Sequence, residues 1–137
     1  MLVKVLEEVD LSLMLDFVDD ENTKYAISDL KKYIEKEDNY GFIAKDNDKV
    51  IGFAYGYVLL KPDGRKAFYF DSIDVMKDCQ KNGVGTVMMK FVADYAKQIG
   101  CYEMFLVTNK SNVSACRCYE KSGGVKLSDD DVVYVFD

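Results

Sequence analysis

The chain of 137 residues contains no histidine, and that single absence removes several chemistries. A triad built on imidazole, a histidine general base and a histidine-bearing zinc site are all excluded. Cysteine does not fill the gap. Cys79, Cys101, Cys116 and Cys118 form no metal-ligand pairs, and Cys116 and Cys118, two apart on a predicted helix, point to different sides of it. They read as reduced structural thiols, and no metal is expected. Proline is almost missing as well: Pro62 stands alone, beside Asp63 and Gly64 in what reads as a hairpin loop. No repeat, linker or low-complexity segment divides the chain, so residues 1–137 are expected to form one domain.

Long apolar runs are absent too, with no stretch of about 18 such residues. The N-terminus, MLVKVLEEVDLS, has Glu7, Glu8 and Asp10 where a signal peptide would be continuously apolar. A soluble cytoplasmic protein is the expectation. Positive charge is in deficit: Lys and Arg number 18 against 24 Asp and Glu, for a formal net charge of −6. Carboxylates gather at Asp16, Asp19, Asp20 and Glu21, at Glu35, Glu37 and Asp38, and at Asp129, Asp130 and Asp131. Such a surface repels nucleic acid and anionic membrane, so neither is an expected partner. It attracts a cationic small molecule, although most of these side chains serve simply as solvated faces.

What is present is a core. Apolar residues make up 49% of the chain and aromatic residues 13%, which excludes disorder and allows roughly two-thirds of the unfolded surface to be buried. Residues 2–6 alternate as a strand. Leu11, Met14, Leu15 and Val18 share one helical face, and a second helix over 24–37 places Ile27, Leu30 and Ile34 together, with Thr23 as its cap. Strands follow over 40–45 and 49–60, joined by Asp46-Asn47-Asp48. Gly52 and Gly56 inside the longer strand indicate a bulge or a close approach to its backbone. From Lys66, AFYFDSIDV reads as a central strand, apolar on both faces.

Asp71 to Thr86, DSIDVMKDCQKNGVGT, leads from that strand through glycines into the clearest helix of the chain. Its apolar stripe is Val84, Val87, Met88, Phe91, Val92, Tyr95 and Ala96, and Gly100 stops it. Unpaired N–H groups and the helix dipole at such a start make a seat for phosphate. A P-loop would need Lys-Ser/Thr after the second glycine, and a dinucleotide fingerprint would need a third glycine where Met88 stands. Residues 101–108 form the next strand, parallel to the previous one through the helical crossover. A short helix capped by Asn112 and ended by Gly123-Gly124 comes next, and strands near 124–127 and 132–136 close the chain. Exposed apolar residues on those late strands suit a homodimer.

The order β-α-α-β-β-β-α-β-α-β-β, with Gln80, Gly83 and Gly85 in Gln-x-x-Gly-x-Gly after Ile73-Asp74-Val75, resembles the GNAT superfamily of acetyl-CoA-dependent N-acetyltransferases. A second motif of that family, Asn-x-x-Ala-x-x-x-Tyr-x-x-x-Gly, is matched by Asn112, Ala115, Tyr119 and Gly123. The resemblance covers nearly the whole chain. It implies an α/β (α+β) GNAT fold: a single mixed sheet of about seven strands, about four helices, and a parallel pair that splays apart. Within the superfamily, YVLLKPDGRKAFYFDSIDV and the ending VVYVFD look like the aminoglycoside 3-N-acetyltransferases. Ser72 stands where many of those carry a carboxylate, and Gly124 where they carry an aromatic residue.

The resemblance implies acetyl-CoA as co-substrate. Its pyrophosphate would sit on the N–H groups of Lys81, Asn82, Gly83, Val84, Gly85 and Thr86, with Gln80 and Lys81 adding side-chain donors and Asn112 and Tyr119 completing the cofactor contacts. Main-chain N–H groups near Ile73, Asp74 and Val75 would bind the carbonyl oxygen as charge develops. Tyr119 would be the general acid, since a phenol with a reference pKa of about 10 stays protonated at neutral pH. Asp71 and Asp74, placed on opposite faces by the strand period of two, are the candidates to take the amine proton, and Asp71 is preferred because a carboxylate in so apolar a strand needs a partner or a role. The acceptor would be a primary amine of a cationic small molecule such as an aminoglycoside. A protein N-terminus or lysine, or a module that binds acetyl-CoA without turnover, are the alternatives.

Overall fold

Alternating side chains give the sheet two covered faces. In the computed structural model, which describes residues 1–137, five strands form one sheet in the order β1 (Leu2–Val5), β2 (Asn39–Asp46), β3 (Lys49–Leu60), β4 (Lys66–Val75) and β5 (Glu103–Phe105). The first four are antiparallel neighbours, and β4 and β5 are parallel. Helix α2 (Val84–Gln98) crosses over between that parallel pair. It covers one face and closes a core containing Phe42, Phe68, Phe70, Met88 and Val92. The other face is covered by a 3₁₀ helix (Glu8–Asp16) and by α1 (Ile27–Glu35), which bury Leu11, Met14, Phe17 and Leu30 against Ile43 and Phe53. A short 3₁₀ turn (Lys77–Cys79) precedes α2, and α3 (Val113–Lys121) follows β5. No helix is long and apolar enough to cross a membrane.

The mixed α+β fold agrees with the sequence, and four details differ. The first helical segment has three residues per turn, so i and i+3 eclipse. Leu11, Met14 and Phe17 are therefore the buried row, while Leu15 and Val18 face solvent. The next helix starts at Ile27 with Ala26 as an uncapped N-cap residue, and Thr23 instead donates its backbone N–H to Asp19 Oδ1 at 2.9 Å. On α2 the buried arc is rotated by about one position, so that Met89 points inward and Val87 outward. The sheet has five strands rather than about seven: β5 pairs over only three residues, and 124–127 and 132–136 lie exposed without strand partners. A strand is defined by its neighbour, and local alternation supplies only the competence to pair.

Both glycines inside β3 mark bulges. Between Ala44↔Gly52 and Lys45↔Val50, Ile51 has no opposite residue, and this flips the parity of the strand. Val50 accordingly joins the α1-side core while Ile51 joins the α2-side core. The second bulge lies in β4, where Tyr55 opposes Ser72 and Gly56 opposes Phe70, leaving Asp71 as the extra residue. Gly56 is required there because an added Cβ would collide with the carbonyl oxygen of Tyr69 and the ring of Phe68. Its own carbonyl accepts from the Tyr33 hydroxyl at 2.8 Å, which also reaches Tyr40 O at 2.9 Å. The bulge is thus tied to α1. Gly56→Ala should overpack this point and cost about 1–3 kcal/mol, read as a lower urea midpoint with an unchanged slope.

Candidate active site

The parallel strands separate early. Pairing runs through Ala67↔Glu103, Phe68↔Met104 and Tyr69↔Phe105 and then stops, so Phe70 to Val75 have β3 on one side and no strand on the other. Met76 N donates to Ile51 O at 2.8 Å, toward β3. In an antiparallel ladder the pairing groups alternate in direction, which turns the N–H and C=O of Ile73 and Val75 away from β3 and into the gap. The Val75 carbonyl confirms this by accepting from Gln80 Nε2 at 3.0 Å. The side chains of Ile73 and Val75, meanwhile, pack against the α2-side core.

At the end of the gap lies the start of α2. Gly83, its N-cap residue, is left-handed at φ 79°, and Lys81 is left-handed at φ 70°. The first helical bond is Val87 N to Gly83 O at 3.1 Å, and the N–H groups from Lys81 to Thr86 have no acceptor in the protein. No acidic side chain stands in the first turn. Consecutive free donors at the positive end of a helix dipole fit an anionic pyrophosphate. Side chains in the same stretch do other work. Gln80 is engaged with Val75 O and, at 3.2 Å, with Asp20 Oδ2, so its amide is not a free phosphate donor. Val84 is buried in the core. Glycine at 85 makes room for α3, since a Cβ there would stand 3.1 Å from Cys118 Sγ. The Thr86 hydroxyl donates to the same sulfur at 3.9 Å.

Helix α3 brings in Tyr119. Asn112 begins the helix as its cap, Oδ1 accepting from Ala115 N at 3.3 Å. It therefore sits at the far end from the Cys118 contact with α2. Tyr119, next to that contact, borders the α2-side core. Burial raises its phenol pKa, and the charges of Cys118, Cys116 and Asp74 raise it further. A phenol so placed is a proton donor throughout the neutral range.

The bulge at Asp71 changes the expected geometry of the two carboxylates. Tyr69 lies opposite Tyr57, their rings stacked at 6.4 Å. After the extra residue, Ser72 lies opposite Tyr55 and Asp74 opposite Phe53. The parity flip puts Asp71 and Asp74 on the same face rather than on opposite faces. They differ in surroundings: Asp71 is exposed, its charge helping to raise the pKa of the nearby Tyr57 phenol, whereas Asp74 is half-buried. Burial raises the Asp74 pKa, as does the charge of Asp19; a hydrogen bond from Ser72 at 3.4 Å opposes this, and Asp20 and Glu21 add to the rise. Asp19 is pushed up by its own burial, but bonds from the backbone N–H of Thr23 and Glu21 outweigh that and hold its carboxyl below the usual range. It is a fixed negative charge.

Sequence reasoning missed the tyrosines on this face. Tyr25, Tyr33, Tyr55 and Tyr57, with Asp29, line a cavity of about 200 Å³. Burial pushes the Tyr25 phenol up to about 12, helped by Asp19 and Asp74. The available signal was Phe53, Tyr55 and Tyr57 at a spacing of two on one strand face. A second cleft, of about 640 Å³, opens between Asp19, Asp20 and Asn22 on one side and Lys77, Asp78 and Gln80 on the other. The free main chain of Ile73 and Val75 leads along the gap to the α2 N-terminus, and Tyr119 on α3 lies close enough to Asp74 to feel its charge. Asp71 lies toward the tyrosine cavity.

Residues 6–124 match the family model described as the acetyltransferase (GNAT) family. Streptothricin acetyltransferase A of Bacillus subtilis (strain 168) is 26% identical over 102 residues, which cover 74% of this chain and 57% of that protein. This chain thus spans little more than half of that relative's length. Among solved structures, an aminoglycoside acetyltransferase from an uncultured soil metagenomic sample, in complex with sisomicin, superposes with a TM-score of 0.81 at 19% identity, covering 99% of this chain and 94% of that one. Aminoglycoside N-acetyltransferase AAC(6')-Iy in complex with CoA superposes with a TM-score of 0.78 at 17% identity, covering 98% of both chains. At such identities the structures share the fold, and they are not specifically 3-N-acetyltransferases.

The charge of Asp19 is separable from its hydrogen bonding. Asp19→Asn keeps the Oδ1 acceptor for Glu21 and Thr23 while removing the charge, so the Asp74 pKa should move down toward that of an ordinary aspartate. Carboxyl ¹³C chemical shifts followed through a pH titration measure it, and an unmoved Asp74 would remove the coupling.

Proposed function

We propose, because this chain belongs to the acetyltransferase (GNAT) family, that it transfers an acetyl group from acetyl-CoA to a primary amine of a cationic small molecule, with an aminoglycoside as the leading candidate. The observation that carries this reading is the run of free N–H groups from Lys81 to Thr86 at the mouth of the β4–β5 gap. Members of the family use acetyl-CoA, which supplies a thioester whose carbonyl carbon the amine attacks, releasing a thiolate. Lys81 to Thr86 would hold the pyrophosphate through main chain. The N–H groups of Ile73 and Val75 face the gap and would take the negative charge that develops on the carbonyl oxygen.

Two side chains would move protons. Tyr119 would protonate the departing sulfur, as its raised pKa keeps the proton available. Asp74 fits the base better than Asp71. An aspartate with a raised pKa is closer to the operating pH, and the amine must lose its proton to react. Asp71 and the tyrosines beside it would receive the rest of a cationic acceptor, through charge and aromatic faces. The −6 net charge supports a cationic acceptor over an anionic one. The amino position acetylated, 3-N or another, is read by NMR of the product.

The direct test is thiol release from acetyl-CoA with a panel of aminoglycosides, polyamines and basic peptides. Selective turnover of an aminoglycoside or polyamine is expected; turnover of peptides alone would move the acceptor to protein, and no turnover with any amine would remove the activity. Tyr119→Phe should lower kcat by a factor of about 10²–10⁴ and leave the Kd for CoA unchanged. Unchanged kcat would take Tyr119 out of the mechanism.

The pH profile carries a sign. If deprotonated Asp74 is the base, kcat/KM falls as pH drops through its folded-state pKa. That pKa is raised, so the acidic limb should stand above the ordinary aspartate range of about 3.9. Asp74→Asn should abolish that limb along with most turnover, whereas an identical limb in the variant would assign it elsewhere.

A further inference from the structure

The tyrosine cavity between α1 and β3 is walled by rings that are fixed in place. Tyr33, Tyr55 and Tyr57 stand nearly perpendicular to one another, at 79°, 73° and 86°, with centroids 5.8, 5.7 and 6.4 Å apart. Tyr25 and Phe53, crossed at 80° and 5.4 Å, frame the other end. Tyr33 cannot swing away, because its hydroxyl is held between the carbonyl oxygens of Tyr40 and Gly56 at 2.9 and 2.8 Å. The volume of about 200 Å³ falls below the roughly 300–1,000 Å³ of a site for a drug-sized ligand. It takes one end group of a ligand and not its body.

The charge around these rings is of one sign. Asp29 is the only charged residue in the lining, with no Lys or Arg beside it. Neither Asp29 nor Asp19, Asp71 or Asp74 forms an ion pair. Burial raises the phenol pKa values of Tyr25, Tyr55 and Tyr57, and carboxylates raise them further: Asp19 and Asp74 at Tyr25, Asp71 and Asp74 at Tyr55, Asp71 at Tyr57. An aromatic enclosure in a negative field suits a cation. The kind of cation follows from what the walls lack. No cluster of His, Cys, Asp or Glu is placed to hold a metal ion. A bare ammonium brings three donors, and one exposed carboxylate cannot replace the water that they would lose. An alkylated ammonium has few donors to lose, and its methyl groups carry the charge onto the ring faces.

We propose that this cavity receives an N-methylated ammonium group, tertiary or quaternary, of the amine that is acetylated. The acceptor class is then a primary amine that carries a methylated ammonium at a set distance. This inference rests on the acetyl-transfer reading for the reacting nitrogen and on the cavity alone for the methylated one. The distance comes from the sheet. Asp74 lies opposite Phe53, and Tyr55, in the middle of the cavity wall, is the next residue on that face of β3. Such diagonal pairs are about 7–8 Å apart. At an extended reach of about 3.3–3.6 Å per three bonds, two nitrogens so separated are about six bonds apart, with five carbons between them.

The first arm of the test uses free protein with ¹³C-labelled tyrosine rings, no acetyl-CoA, and tetramethylammonium chloride as the probe. Ammonium chloride and sodium chloride at equal ionic strength are the controls. Saturable shifts of the Tyr33, Tyr55 and Tyr57 ring signals are expected with tetramethylammonium and not with either control. Tyr57→Leu, which removes a ring face and keeps an apolar wall, should weaken this binding by about 2- to 30-fold. Asp29→Asn changes an exposed side chain without changing its shape and should also weaken it, which keeps the test valid where the tyrosine variant fails to fold. In the second arm, with acetyl-CoA, the trimethylammonium derivative of a five-carbon diamine should show a lower KM than the unmethylated diamine at similar kcat. Absence of saturable shifts, ammonium binding as tight as tetramethylammonium, unweakened binding in folded Tyr57→Leu, or equal KM values would each overturn the proposal. Failure of the acetyl-transfer reading is distinct: tetramethylammonium would still saturate the rings while no amine releases thiol, which keeps the cavity as an ammonium site and removes its link to an acceptor.

Discussion

The parting of β4 from β5 after Tyr69 and Phe105 is the constraint from which the rest follows. Had the two strands stayed paired, the polar groups of Ile73 and Val75 would be consumed by the sheet, and no main chain would be left to meet a ligand. Core packing keeps the strands apart. α2 occupies one face through Met88, Met89 and Val92, while α3 reaches its first turn through Cys118, at a point where residue 85 has no side chain. Packed contacts on the α2 face and at the α2–α3 junction thus border the gap.

Charge is distributed unevenly around that gap. On the α2 side are free N–H groups, a helix dipole and Lys81; on the tyrosine side are Asp19, Asp71 and Asp74. An anion and a cation approaching from opposite faces would each meet a complementary field. The two fields meet at Asp74, whose pKa reports the burial and the negative neighbours together. One inserted residue makes this arrangement possible. Without the Asp71 bulge, strand parity would send one of the two carboxylates to the apolar face beneath α2.

Much of this was legible in the sequence. The α2 helix, its glycine start, the parallel crossover and the placement of Tyr119 and Asn112 on the last helix all follow from local patterns, because helices carry their hydrogen bonds within themselves. What escaped was set by partners distant in sequence. The bulges at Ile51 and Asp71 depend on which residue ends up opposite. The turn geometry of Glu8–Asp16 depends on what it packs against. Residues 124–127 and 132–136 look like strands and are not, for want of a neighbour. Gln80 looked like a phosphate ligand until Asp20, sixty residues away in the chain, was seen to share its amide. The tyrosine cavity was overlooked because aromatic residues at a spacing of two usually mean core.

Main chain, rather than side chains, forms most of the surface facing the gap, and this bears on how such a protein diversifies. A backbone donor is kept by every amino acid except proline, so Asn82 can drift without erasing the group beneath it, while left-handed Lys81 tolerates fewer replacements. The tyrosine and aspartate face has no such insurance, since each change there alters shape or charge directly. Substitution can therefore explore widely on one side of β4 while the main chain on the other side stays constant. A lineage built this way can alter what it presents on that face by substitution of a few surface side chains, with no change of fold.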